Sequence, residues 1–342
     1  MFLASTTVTN LNLASSFIVS FITFVVPMIA VAFAGMTAER SGIINLALEG
    51  MMIFGAFAGF AVLQAFNTAG GECTINPVLA VLIASLAAVA VGILVSFLLS
   101  FASIRLKANQ TIIGTAINTL APALTILLCT TIYSTSSINN PTWVNMTVDQ
   151  IQTLTVPTTE TVPELIAYFF KKIAFTNNYL TTWLLIAFVI LVGIFLFKTR
   201  TGLRMRACGE NPQAADSVGI NVSGMRYLGT GISGALAGLG GFAICLAIGG
   251  FQGSVIGLGF LSLAIMIFGN WKPWPIVGAA CVFAFFRVLA YSSFLPEIPG
   301  LNTYSLVYMC IPYLLTILVL IFASKRSHAP KAEGIPYDKG AR

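Results

Sequence analysis

Two kinds of residue in this sequence could do chemistry. The first is a handful of polar side chains set inside long apolar runs. The second is one short polar string between two such runs. Glu49 is the single acid inside an expected membrane span, about 9 Å past its start at 1.5 Å per residue. Asn45, four residues earlier, would share its helix face. A carboxylate held in hydrocarbon is costly unless it is paired or reaches water. Glu49 therefore lines a polar path, pairs with a cation to hold a gate, or is an interfacial group that snorkels or caps the region of Arg40. Asn118, Gln252 and Asn270 are neutral hydrogen-bonding groups that either face such a path or bond neighbouring helices to one another. Arg287 is a second isolated charge, placed to snorkel or to pair with Glu297. The sequence has no phosphate-cradling GxxxxGK[ST], no HExxH and no GxSxG. Its six cysteines (73, 129, 208, 245, 281 and 310) are scattered, and its one histidine, His328, is in the tail. No catalytic set, metal site or cofactor is expected in this chain. If it moves a solute uphill, the energy arrives from another subunit.

The polar string is Glu210-Asn211-Pro212-Gln213-Ala214-Ala215-Asp216, followed by Gly219. Asn211 suits a helix N-cap with Pro212 at the first helical position. Asp216 complements the helix dipole, and Gly219 suits the residue that ends the helix after about two turns. Ala214, Ala215 and Val218 would form one small apolar face. Such a helix has the shape to dock in a partner's groove, or to lie on lipid as an amphipathic connector.

The elements that must position these residues are membrane spans. Of the 342 residues 57% are hydrophobic and 8% charged, with a mean hydropathy of +0.93. That composition excludes a water-soluble enzyme, a nucleic-acid-binding domain and a disordered scaffold. The expected class is an all-α polytopic membrane protein forming a single transmembrane domain over 1–342. The expected spans are 16–35, 43–66, 78–103, 111–133, 180–198, 228–249, 255–270, 275–291 and 304–323. Gly253, Gly257 and Gly259 loosen the start of the seventh, which suggests a broken or re-entrant segment. With about nine spans, fourteen of the seventeen Lys and Arg fall on one side. The N-terminus is then outside and the C-terminus inside, and a count of eight or ten would break the alternation unless a re-entrant piece were added. The segment 134–179 becomes an extracellular loop with a helix near 162–174, 198–227 a basic cytoplasmic loop, and 324–342 a cytoplasmic tail. Met52-Ile53-Phe54-Gly55 recurs as Met266-Ile267-Phe268-Gly269, the trace that a possible inverted repeat would leave. Gly234-xxx-Gly238 predicts a close helix–helix contact, with a hinge as the alternative.

Two strings carry a family resemblance. Gln213-Ala214-Ala215 with Gly219 resembles the EAA loop of ABC importer permeases, with Gln where Glu is usual. Gly209–Val222 as a whole, and Glu39-Arg40-Ser41-Gly42-Ile43-Ile44-Asn45-Leu46-Ala47-Leu48-Glu49-Gly50-Met51, are similar to the branched-chain amino acid, simple sugar and nucleoside permease family. Ile232–Gly241, Met266–Trp271 and the tail Ala329-Pro330-Lys331…Gly334-Ile335-Pro336-Tyr337 agree. Together they resemble the shorter permease subunit of bacterial nucleoside ABC importers. The resemblance implies a multi-pass protein of the bacterial plasma membrane that passes nucleosides by alternating access. It implies a second, longer permease, a cytoplasmic ATPase that binds ATP and Mg and docks on residues 210–219, and an extracellular substrate-binding lipoprotein. A Phe251–Phe260 wall could then stack a base. A simple sugar or branched-chain amino acid as cargo, or an energy-independent facilitator acting alone, are the alternatives.

Overall fold

The computed structural model describes residues 2–68, 70–144, 180–291, 310, 314 and 329–338. Its elements are α1 (Phe2–Arg40), α2 (Leu48–Ala65), α3 (Pro77–Ile104), α4 (Gln110–Tyr133), β1 (Ile138–Asn139), α5 (Leu180–Lys198), α6 (Arg200–Glu210), α7 (Pro212–Ser217), α8 (Val222–Ala247), β2 (Gly250–Phe251), α9 (Leu258–Phe268) and α10 (Pro273–Tyr291). Local sequence sets most of the starts. Asn76, Asn109, Asn211 and Asn221 each accept a backbone N–H from the first turn of the following helix, as does Thr199.

Six helices are long and apolar enough to cross a membrane: Ala14–Arg40 within α1, then α2, α3, α4, α5 and α8. The expected seventh and eighth spans appear as the shorter apolar helices Leu258–Phe268 and Pro273–Leu289. All of the ninth but residues 310 and 314, the helix near 162–174, Glu297, and 324–328 and 339–342 of the tail lie outside the described residues. Three boundaries differ from expectation. The first span runs on to Arg40, so Glu39 is inside it and only 3% exposed, making a second acid within a span. The second begins at Leu48 instead of 43, because Gly42 turns the chain at φ +96° and Asn45 accepts the N–H of Ala47. Asn45 therefore does not share a helix with Glu49. The sixth starts at Val222, capped by Asn221, and takes in Arg226 as a fully buried side chain.

The core is centred on α8, the most buried of the long helices, which packs against α1, α2 and α3. Glycine allows the approach. A Cβ on Gly92 of α3 would stand 2.1 Å from the carbonyl oxygen of Gly234, and one on Gly55 of α2 would stand 2.4 Å from Cα of Gly238. The small-residue spacing therefore marks a helix–helix contact, as the sequence suggested. The outward faces of α3 and α5 carry Leu86, Leu94, Leu98, Ile190 and Leu191, all more than half exposed, as a lipid surface requires. At the end where α4 finishes, β1 and β2 pair antiparallel, Ile138 opposite Phe251. The echo of Met52–Gly55 falls early in α2 but at the end of α9 and its C-cap, so the two strings are not at equivalent places.

Candidate functional site

Two stretches of non-helical backbone enter the bundle. One is 41–47, before α2; the other is 252–257, before α9. Asn45 Nδ2 donates to Ser233 Oγ at 2.8 Å, which places this stretch about 16 Å along α8 from its start. Asn118, about 12 Å along α4, holds the same region. Its Oδ1 accepts the N–H of Gly50 at 2.8 Å and its Nδ2 donates to the carbonyl of Leu46 at 2.6 Å. One side chain thus meets an orphan donor of the first turn of α2 and a carbonyl of the stretch leading into it. The full-length helix α2 and the shorter α9 begin here side by side.

Glu49 joins them. Its Oε1 accepts the N–H of Gly257 at 3.1 Å and its Oε2 the N–H of Gly259 at 2.7 Å. Gly257, at φ +70°, has no side chain to cap α9, so Glu49 supplies the capping oxygens from another helix. Because Glu49 also lies in the first turn of α2, one carboxylate sits at two helix N-termini, where the partial charges favour an anion. Only glycine fits opposite: a Cβ on Gly259 would stand 2.6 Å from the backbone N and Cα of Glu49. Of the sequence readings, capping is the one this geometry supports, at α9 and not at Arg40. Among the described residues no cation forms an ion pair with it.

Gln252 and Asn270 are not part of this junction. Gln252 is exposed in the extended run, and Asn270, at φ +50°, follows the far end of α9. Phe251 is buried against Phe57 and Phe60, whereas Phe260 is 53% exposed, so the two rings form no common wall. Arg287 is 3% exposed and sits inside the bundle, not at a water interface.

The polar string folds as expected into a short capped helix, with one correction. Asn211 Oδ1 accepts the N–H of Ala214 at 3.0 Å, and Gly219 ends the turn at φ +81°. Gln213, Ala214 and Val218 are exposed, Val218 at 74%. Ala215 instead faces inward and packs with Cys208 of α6 and Val222 of α8, while Ile220, Met225 and Tyr337 close over them. Burial pushes the Cys208 thiol up. The free face of α7 is therefore Gln213, Ala214 and Val218, with Ala215 as its anchor. Glu210 stands 3.9 Å from Arg40 across the end of α1.

Residues that spacing could not single out complete this end. Trp271 Nε1 donates to Glu39 Oε2 at 2.5 Å, and Arg40 donates to the Trp271 carbonyl at 2.9 Å. The segment 329–338 crosses the same end. The N–H of Ala332 donates to the carbonyl of Gly209, Arg226 donates to the carbonyl of Ile335, and Lys107 meets Asp338 at 2.6 Å. The tail string had been visible in the sequence, but not its target.

Non-helical backbone inside the bundle, with two helix N-termini meeting there, is a feature of membrane transport proteins with discontinuous helices. The family comparison makes the class particular. Residues 16–322 match the family described as branched-chain amino acid transport system/permease component, and the chain belongs to that family. It is 39% identical over 328 residues to the guanosine ABC transporter permease protein NupQ of Bacillus subtilis, covering 93% of this chain and 95% of that one. It is also 39% identical over 316 residues to the nucleoside ABC transporter permease protein NupC of Lactococcus lactis, covering 92% and 93%. Likeness to the Lactococcus nucleoside ABC transporter permease protein NupB is 29% over 171 residues, 46% of each chain. No solved structure matches.

Proposed function

We propose that this chain is the membrane subunit of an ATP-driven nucleoside importer. The observation that carries the substrate class is the 39% identity, over more than nine-tenths of the chain, to permeases named for guanosine and for nucleosides. In this reading the chain lies in the bacterial plasma membrane, N-terminus outside, with 134–179 extracellular and both 198–227 and 324–342 cytoplasmic. A longer permease, related as NupB is, completes the pathway. A cytoplasmic ATPase binds ATP and Mg and docks on α7, and an extracellular lipoprotein delivers the nucleoside.

The geometry supplies the mechanical parts of that reading. The free face of α7, Gln213, Ala214 and Val218, is available to a partner, and its anchor Ala215 ties it to α6 and α8. Closure of the ATPase pushes α7, and α8 carries the displacement to Ser233 and the junction around Glu49. Alternating access requires the ends of the bundle to open in turn while this junction keeps its polar groups satisfied.

The test is uptake of labelled guanosine into proteoliposomes holding this chain, its companion permease and their ATPase, with unlabelled guanosine, ribose and leucine as competitors. Competition by guanosine alone, dependent on ATP, is the expected result. Competition by ribose or leucine moves the chain to a sugar or amino acid importer. Uptake by this chain alone, without ATP, makes it a facilitator and ends the proposal.

A further inference from the structure

The short helix α9 is gripped at both ends by a glutamate from another helix. At its N-terminus Glu49 of α2 accepts the N–H groups of Gly257 and Gly259. Past its C-terminus Glu39 of α1 accepts Trp271 Nε1 at 2.5 Å, and Arg40, the next residue, donates to the Trp271 carbonyl at 2.9 Å. Glu39 and Trp271 are 3% and 4% exposed, so this second grip is made inside the bundle. Between the two grips α9 lies along α1, where a Cβ on Gly35 would stand 2.9 Å from Met266 Sδ.

The backbone reaches the two grips in different ways. At the N-terminus the left-handed residue is Gly257, and glycine is at ease there. At the far end Asn270 and Trp271 both adopt that conformation, at φ +50° and +53°. Asparagine tolerates it, whereas the Cβ of a bulky residue is crowded by the following carbonyl oxygen. The turn is also tight: a Cβ on Gly269 would stand 2.2 Å from Cγ1 of Ile276, where α10 folds back. Strained backbone persists only where its surroundings hold it. Here Glu39 and Arg40 do the holding, and Arg40 is tied in turn to the chain leading into α7. Its Nη1 stands 3.9 Å from Glu210 Oε1, next to the Asn211 cap, and a Cβ on Gly209 would stand 2.3 Å from its carbonyl oxygen. Nε of Arg40 is buried with no partner among the described residues, so this guanidinium is only partly engaged.

We propose that the Asn270–Trp271 turn is a strained latch between the approach to α7 and the far end of α9, with Trp271 as its positioning residue. Displacement of α7 moves Gly209 and Glu210 against Arg40, and Arg40 carries the shift to the Trp271 carbonyl. Release breaks the indole–carboxyl bond but relaxes the backbone, which brings the closed and open turns closer in energy. Once released, the far end of α9 pivots about its pinned end at Glu49. The latch gives coupling a second route besides α8, and that use of it rests on the importer reading above.

Hydrogen–deuterium exchange on the full chain in lipid nanodiscs tests the latch without reference to transport. Trp271→Phe keeps an aromatic ring and removes the N–H, and the amides of 269–272 should exchange about fivefold faster or more. Glu39→Gln keeps an acceptor for the indole and should fall between that variant and the wild type. Glu210→Gln changes a half-exposed side chain and should speed the same amides about two- to fivefold, with the spans unchanged. Unchanged exchange at 269–272 in Trp271→Phe overturns the latch, and unchanged exchange there in Glu210→Gln overturns its link to α7. In proteoliposomes with the companion permease and ATPase, Trp271→Phe should keep ATP hydrolysis and the KM for guanosine while guanosine moved per ATP falls several-fold. An unchanged ratio overturns the positioning role. Absence of guanosine uptake by the wild-type assembly, with these exchange patterns intact, counts against the importer reading alone.

Discussion

The junction at Glu49 and the end of the bundle where α1, α6, α8 and residues 329–338 meet are both polar islands in an apolar chain, and they are built on opposite plans. At the junction every polar side chain named above is engaged at both ends: Glu49 by two backbone N–H groups, Asn118 by a donor and a carbonyl, Asn45 by Ser233 and Ala47. In the other island Nε of Arg40 and of Arg226 as well as Oε2 of Glu333 are buried without partners. A fully satisfied network is rigid, and disturbing it exposes the desolvation penalty of each group left behind. A partly satisfied one has nearby alternatives. The junction is suited to keep its shape during turnover, and the cluster to change.

That contrast can be broken most directly at Glu49. Glu49→Ala leaves the N–H groups of Gly257 and Gly259 buried and unmet, and should destabilise the protein by about 2–5 kcal/mol. A melting curve in detergent reads this, and Glu49→Gln, which keeps one acceptor oxygen, should lose less. A wild-type melting temperature for Glu49→Ala would show that the junction is not a fixed point. Gly259→Ala should come next, at about 1–3 kcal/mol, because its Cβ meets the Glu49 backbone and not a movable side chain. Tolerance there would mean that α2 and α9 can part easily.

Ala215→Glu sharpens the other half of the comparison. The new carboxylate would enter the small cluster of Cys208 and Val222, so α7 should undock locally, by about 1–2 kcal/mol, with the spans intact. Raised exchange confined to 210–220 is the expected signature, and global unfolding would make α7 part of the main core. The smallest effect on stability should come from Val218→Asp on the exposed face, within about 0.5 kcal/mol. The same variant should nevertheless lose ATPase in co-purification. Retention of the ATPase would remove Val218 from the docking face.

What the sequence made legible was local. Asn211 with Pro212, Gly219, and the glycines before α9 were readable because a cap, a stop and a break depend on neighbours within a few residues. The close approach at Gly234 and Gly238 was readable for the same reason. Glu49 stood out as an acid in an apolar run, but its partners lie some 208–210 residues away, and no spacing rule connects them. Glu39 was missed because the hydropathy of span 1 fades before the helix does. Ala215 was assigned to the wrong face because six residues of helix are too short for periodicity to say which side is covered. That depends on Cys208, Val222 and Tyr337, which arrive from three other segments. The seat of Ala332 on Gly209 and of Ile335 on Arg226 required the chain to return from its far end.

The glycine contacts of α8 carry a last consequence. Where the backbones of α2, α3 and α8 touch with no side chains between them, sliding or tilting would open voids that nothing nearby can fill. Those three helices must travel as a single chassis. Movement during a transport cycle therefore falls to parts outside this chassis and outside the Glu49 junction, and a spectroscopic ruler placed between α3 and α8 should read the same length in every state.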